Sequence, residues 1–223
     1  MLRKRPVAES GELNTQQPAL PQRFINGVFR NILAIKRVRK LEAENRRLRY
    51  ENNHDDLSGL LNRKGVLKEL DERIKLGVPT GVMVVDINNF KAYNSRFGHI
   101  AGNTLLTNLG GVLSSLFSNR KDEGVITASR FGGDEFVIIV DPSDRGQDDG
   151  LTPLQRIQGF KEYANGRVQE FFDNQGETVR DLELGISIGT SIYDPNNPVT
   201  IEALLEQADL SMYQEKKSNQ QTT

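Results

Sequence analysis

Two glycines stand directly before two carboxylates in the segment Ser129-Arg130-Phe131-Gly132-Gly133-Asp134-Glu135-Phe136. On either side, Gly124 to Arg130 and Glu135 to Val140 alternate or run apolar, which is the pattern of two strands. Glycine permits a tight connection between them, so the spacing predicts a hairpin with acidic residues at its tip. Taken alone, the four residues read equally well as a plain turn. Lacking β-carbons, Gly132 and Gly133 let a bulky anionic group approach the backbone, while the adjacent carboxylates offer hard oxygen ligands. Phosphates with Mg²⁺ are the ligand class that suits both. Two neighbouring side chains hold a metal weakly, and Val82-Met83-Val84-Val85-Asp86 supplies a third carboxylate where a buried strand emerges.

Around this hairpin the pattern is mixed α and β. Helices are expected from about Lys64 to Leu76, Ala101 to Phe117, Pro153 to Asn174 and Ile201 to Lys217, and strands over Gly81 to Asp86 and Asp181 to Ile192. The order α-β-α-β-β-α-β-α predicts an α+β domain: one mixed, mainly antiparallel sheet with helices on its faces, related to split β-α-β folds.

Ahead of it lies a segment of different character. Residues 1–22 carry Pro6, Pro18 and Pro21 with no sustained apolar period, and read as a disordered lead. Residues 23–53 read as an amphipathic helix, with a coiled-coil seam at 25, 28, 32, 35, 38, 41, 45 and 48 and a polar Asn45 in it. Residues 1–50 hold 12 Lys/Arg against 4 Asp/Glu, a net +8, whereas the remainder holds 17 against 26, a net −9. The basic helix face could touch nucleic acid or anionic lipid. Without aromatic interleaving or a base-reading motif it reads better as a solvated face, and nucleic acid is not an expected partner. The roughly 22 residues before the helix are too few to bury a separate core, so an input signal is expected from a protein partner or from dimerisation. There is no cysteine, which excludes disulfides, thiolate metal sites and a cysteine nucleophile and suits a cytoplasmic protein. No apolar stretch approaches the roughly 20 residues of a membrane span.

The chain resembles the GGDEF-domain family, the diguanylate cyclases, whose namesake motif stands intact as Gly132-Gly133-Asp134-Glu135-Phe136. Three further stretches agree in order: His54-Asp55-Asp56-Leu57-Ser58-Gly59-Leu60-Leu61-Asn62-Arg63, Asp86-Ile87-Asn88-Asn89-Phe90-Lys91 with Asn94, and Phe97-Gly98-His99 with Gly102. The resemblance spans residues 54–217, leaving 218–223 as a tail. It implies a palm-like fold whose dimers condense two GTP into cyclic di-GMP with release of pyrophosphate. By position, Asp86, the Ile87 carbonyl and Asp134 would hold Mg²⁺ or Mn²⁺, with Glu135 a further ligand or the acid-base group. Asn94 would read the guanine edge, and Lys91, His99, Gly132, Gly133 and Lys216 would lie near substrate or its phosphates. His54 is expected to anchor the turn after the helix, and Phe90, Phe97, Phe131 and Phe136 to be core or pocket walls.

Three departures qualify the resemblance. Asn103 stands where the family has an aspartate that accepts from guanine N1–H and N2–H; an amide offers one acceptor and one donor. A mismatched buried bond costs about 1–3 kcal/mol, roughly five- to 150-fold in affinity, which would relax purine choice or slow catalysis. Gln220 replaces a phosphate-binding arginine. The Arg-x-x-Asp product site before the glycines reads Glu123-Gly124-Val125-Ile126, so feedback of the usual kind is not expected. The same departures favour a second reading, a degenerate module acting through its helix as a regulator.

Overall fold

A computed structural model of the chain describes residues 22–116, 127–143, 150–176 and 180–220, with side chains over 34–217 of these. Its elements are helix α1 (Gln22–Asn53), helix α2 (Arg63–Lys75), strand β1 (Thr80–Asn88), helices α3 (Phe90–Phe97) and α4 (His99–Ser115), strands β2 (Thr127–Gly132) and β3 (Glu135–Val140), helix α5 (Pro153–Asp173), strand β4 (Gly185–Tyr193) and helix α6 (Ile201–Gln220). The four strands form one antiparallel sheet in the order β2-β3-β1-β4. Residues 1–47 and 48–223 are two compact units.

β1 is central and covered on both faces, which explains why it reads as a continuous apolar run. Its side chains divide by parity, as the pleat requires. Met83, Val85 and Ile87 pack with Phe136, Ile138, Leu109 and Ile157 beneath α4 and α5. Val82 and Val84 pack with Val137, Ile139, Leu70 and Met212 beneath α2 and α6. Asp86 is even-numbered and so belongs to the α2/α6 side. Close approach of α6 depends on Gly189: a β-carbon there would stand 1.8 Å from the Ala208 carbonyl oxygen and 2.3 Å from the Met212 nitrogen.

The structure corrects the expected order in one place. A separate helix, α3, precedes α4, and Gly98 breaks the two with φ +84°. The first strand is longer than expected at both ends, and β4 begins at Gly185 rather than 181 because Glu183 turns the chain with φ +49°. Residues 117–126, including the window Glu123–Ile126 and the expected start of β2, lie outside the described residues, as do residues 1–21. α5 starts on a capping box, with Thr152 and Gln155 bonding reciprocally and Pro153 in its first turn.

In α1, Ile35, Val38, Leu41 and Leu48 are about half exposed, and the side chains of the earlier seam positions lie outside the described residues. The helix ends in a tight knot. Asn62 donates through Nδ2 to the carbonyls of Asn52 (3.1 Å) and His54 (3.0 Å) and accepts through Oδ1 from the Gly65 amide (2.9 Å), capping α2 at the same time. The His54 ring stacks on Tyr50 at 3.7 Å, and its Nδ1 lies 2.8 Å from the Tyr50 carbonyl oxygen. Leu61 then runs beside β2, donating to the Ala128 carbonyl and accepting from the Arg130 amide. Among the described residues no helix is long and apolar enough to cross a membrane.

Candidate active site

The β2–β3 turn is only two residues, Gly133 and Asp134, with Gly133 at φ +56° as a tight reversal requires. Glu135 therefore opens β3 and lies directly opposite Asp86 on β1. The odd-numbered residues of β3 share the α2/α6 side with the even-numbered residues of β1, so both carboxylates lie on the face that α6 covers. From α6, Lys216 donates to Asp86 Oδ1 at 2.5 Å.

This end of the sheet is crowded with negative charge. Burial pushes the Asp86 carboxyl above its ordinary value; Lys216 opposes the shift by hydrogen bond and charge, while Asp134 and Asp209 add to it. Burial likewise raises Glu135, and the charges of Asp86, Asp134 and Asp209 raise it further against Lys216. Four carboxylates thus share one field, in which Lys216 is the ammonium that opposes the shifts of Asp86 and Glu135, an arrangement that favours an added cation. Among the described residues no three acidic or imidazole side chains already stand at ligating distance of a common point. By chemistry the all-oxygen donor set of Asp86, Asp134 and Glu135 suits Mg²⁺ or Mn²⁺. Ile87 is 2% exposed, so its side chain belongs to the core and only its carbonyl could serve a ligand.

Beside the hairpin tip lies a cavity of about 380 Å³ lined by Phe90, Lys91, Asn94, Ser95, His99 and Asp134. α3 supplies most of this wall, and the break at Gly98 turns His99 into it. Asn94 packs against Gly102, where an added β-carbon would stand 1.8 Å from Asn94 Oδ1. That oxygen is buried and has no hydrogen-bond partner, so the side chain holds an unspent polar atom at the cavity. Gly132 and Gly133 are exposed, and a β-carbon on either would meet nothing within 4 Å, leaving their backbone open to a bulky group.

The sequence-derived residues thus fall into two groups that meet at Asp134: Lys91, Asn94 and His99 around the cavity, and Asp86 and Glu135 with Lys216 of α6. Asn103 is not among the cavity-lining residues; it is exposed on α4. The Gln220 side chain lies outside the described residues. Of the phenylalanines, Phe136 is fully buried, Phe90 lines the cavity and Phe131 lies under the Arg63 guanidinium at 4.8 Å. Phe97 instead stays 37% exposed beside Tyr93.

Sequence reasoning assigned no role to Ser95, Asp209 or the pair Asp55–Arg130. Ser95 follows Asn94 on a short helix that was not foreseen. Asp209 sits seven residues before Lys216, two turns along the same helix, a spacing that flags it once Lys216 is placed. Asp55 and Arg130 both lie within the quoted motifs, but 75 residues separate them and only folding brings them to 3.1 Å.

Comparison with known proteins agrees with this architecture. The family model described as "Diguanylate cyclase, GGDEF domain" matches residues 52–222. The chain is 31% identical over 189 residues to the diguanylate cyclase DgcP of Escherichia coli K12, covering 83% of this chain and 50% of that protein. It spans about half or less of the length of the curated relatives it matches first. In fold it is similar to the coiled coil and GGDEF domain of DgcB from Caulobacter crescentus, solved with c-di-GMP, at TM-score 0.65 and 22% identity over 85% of this chain and 93% of that one. It is also similar to the diguanylate cyclase SiaD of Pseudomonas aeruginosa, solved with its activator SiaC, at TM-score 0.56 and 21% identity over 88% and 69%. With the hairpin, its paired carboxylates and the α3 cavity in place, the family match over most of its length shows that this chain belongs to the GGDEF-domain family of diguanylate cyclases.

Proposed function

We propose that the chain is a cytoplasmic diguanylate cyclase that condenses two GTP into cyclic di-GMP with release of two pyrophosphates. The observation that carries this reading is the cavity in which Asn94, Lys91 and His99 face Asp134, beside the cross-strand pair Asp86 and Glu135. In this assignment Asn94 reads the purine edge with its unspent amide oxygen. The phosphates pass over the open backbone of Gly132 and Gly133, flanked by the ammonium groups of Lys91 and Lys216. Asp86, Asp134 and the Ile87 carbonyl would hold Mg²⁺ or Mn²⁺, which when bound supplies charge neutralisation at the phosphates. Asp134 and Glu135 lie nearest the reacting groups, with Glu135 either a further ligand or the group that takes the proton of the ribose 3′-hydroxyl. Lys216 must leave Asp86 as the nucleotide arrives.

Each subunit holds one GTP, so two sites face each other in a dimer paired through residues 23–53. The half-exposed seam of α1 supports that pairing. Residues 54–217 form the catalytic unit, 1–22 a lead and 218–223 a tail. A protein partner supplying the signal is consistent with SiaD, which was solved with an activator.

The test is product identification by mass spectrometry after incubation with GTP and Mg²⁺, with Asp134→Ala and Glu135→Ala as controls. Cyclic di-GMP from the wild type and none from either variant supports the reading; no dinucleotide from the wild type removes it.

A second reading, a degenerate module that binds nucleotide and regulates through its helix, is favoured by Asn103, an exposed amide outside the cavity lining, and by Gln220. An intermediate case is a slow cyclase with relaxed purine choice. Offering GTP, ATP and their mixture separates these, with Asn103→Asp as the paired control: a mixed dinucleotide that disappears in the variant marks relaxed choice, and nucleotide binding without product marks the degenerate module.

A further inference from the structure

A second open cavity, of about 650 Å³, lies between α5 and the start of β4 and shares no lining residue with the first. Its volume is within the range of small-molecule sites, about 300–1,000 Å³. Its lining carries one cation, Arg180, and one anion, Glu183, with the amides of Asn88, Asn165 and Gln169 between them.

Most of these polar groups are half spent, and what remains defines a ligand. Arg180 donates through Nε (3.0 Å) and Nη2 (2.8 Å) to the Asp173 carbonyl at the end of α5, which fixes the guanidinium and leaves Nη1. Asn88 Oδ1 accepts from the Ser187 hydroxyl (2.8 Å), leaving Nδ2 to donate. Gln169 Nε2 donates to Asp173 Oδ1 (3.0 Å), leaving Oε1 to accept. Among the described residues no cation pairs with the Glu183 carboxylate.

The lip has an uncommon backbone, fixed by side-chain hydrogen bonds. Asn89 and Glu183 are the two described non-glycine residues with positive φ, at +60° and +49°. They are tied together by Asn89 Nδ2, which donates to the carbonyls of Leu182 (3.1 Å) and Glu183 (3.4 Å). Such backbone persists where surrounding structure fixes it, often at ligand sites. Gly166, inside α5, also faces this cavity, and a β-carbon there would meet nothing within 4 Å. A mid-helix glycine weakens its helix relative to alanine, and here no protein atom occupies the space it leaves.

The charge balance selects among ligand classes. A polyphosphate would meet a single guanidinium opposed by a carboxylate, and an apolar molecule would find only Leu184 and Ile186, both already buried. We infer that this cavity is a second ligand site for a zwitterion of amino-acid type with a polar side chain. Arg180 takes the carboxylate, Glu183 the ammonium, and the amides of Asn88 and Gln169 pair with the side chain.

The experiment is calorimetric titration and thermal shift of the full chain using L-glutamine, L-asparagine, L-arginine and L-glutamate at millimolar concentration, each without GTP, and GTP alone as a separate arm. The best binder is then compared with its N-acetyl and carboxamide forms, and with the Arg180→Gln and Glu183→Gln variants, whose folding is checked by circular dichroism. The expected result is a rise in Tm with at least one amino acid, and a loss of roughly tenfold or more in affinity on blocking either charged end or in either variant. Absence of any binding to the wild type, or undiminished binding in both variants, overturns the inference. So does a shift with GTP alone that both variants abolish, which would mark a nucleotide site. Since no turnover is measured, this result and the cyclase assay fail independently.

Discussion

Arg130 joins Asp55 to Gly133. Its Nη1 lies 3.2 and 3.1 Å from the two Asp55 carboxylate oxygens, while Nε and Nη2 donate to the Gly133 carbonyl at 2.9 and 2.8 Å. One planar fork thus ties the turn after α1 to the hairpin carrying Asp134. Arg130→Ala leaves a partly buried carboxylate and a turn carbonyl without their donor, and we expect a loss of about 1–3 kcal/mol in urea unfolding. Arg130→Lys should recover little, because an ammonium cannot span both acceptors. Nucleotide affinity should fall in both variants, since the hairpin loses its brace.

Asp55 makes this brace pH-sensitive. Burial pushes its carboxyl up, but the amide and hydroxyl of Ser58 and the hydrogen bond and charge of Arg130 together outweigh burial and hold it below its ordinary 3.8. A depressed folded value means that the stabilisation is fully present above the unfolded value and is lost as pH falls through the folded one. Urea midpoints should therefore drop on acidification below about pH 4, and Asp55→Asn, weaker at neutral pH, should show a shallower decline.

Glu135 has the opposite sign. Burial and neighbouring carboxylates raise it above its ordinary 4.5, so its ionised form destabilises the fold once pH exceeds the folded value, and the penalty is absent below the unfolded one. Without added metal, Glu135→Gln should raise Tm at neutral pH, with no gain in strong acid, while abolishing dinucleotide synthesis. A neutral-pH Tm below wild type would contradict this.

Lys216 is the cation nearest Asp86, with side chains 29% and 16% exposed. Lys216→Ala should cost about 1–3 kcal/mol, because it leaves Asp86 facing Asp134 and Asp209 unpaired. Added Mg²⁺ should raise the Tm of this variant more than that of the wild type, a difference that differential scanning calorimetry reads directly.

Two glycines separate stability from binding. Gly189→Ala drives a methyl into the α6 backbone and should cost about 3 kcal/mol or more, exposing the chain to unfolding. Gly102→Ala meets chiefly the Asn94 side chain, which can swing away. Its expected effect is a modest loss of stability with a larger loss of nucleotide affinity, measured by titration with a non-hydrolysable GTP analogue.

What the sequence disclosed depended on range. The apolar run of β1, the hairpin and the α6 pattern are local signals, and each element contains the residues its period marked among those described, β1 running on to Thr80 and Asn88. Helix α3 escaped notice because Phe90–Phe97 is only two turns long and carries no buried stripe. β4 starts later than the alternation predicts because Leu182 and Leu184 continue the strand pattern, whereas Glu183 turns the backbone. At the site, the motifs named Asp86, Asp134, Glu135, Asn94 and Lys216, but not their pairings. Asp86 opposite Glu135 follows from sheet register, and Lys216 on Asp86 spans 130 residues. Asn103 shows the converse: it occupies a position that the motif assigns to the substrate, yet it is exposed on α4 and is not among the cavity-lining residues.

Leu61 running beside β2 has one more consequence. An outer strand with bare amides and carbonyls invites the same strand of another molecule, the first step toward aggregation. Here the Ala128 carbonyl and the Arg130 amide are already engaged by the chain's own backbone. That edge of the sheet therefore has fewer open backbone groups with which to recruit a stranger.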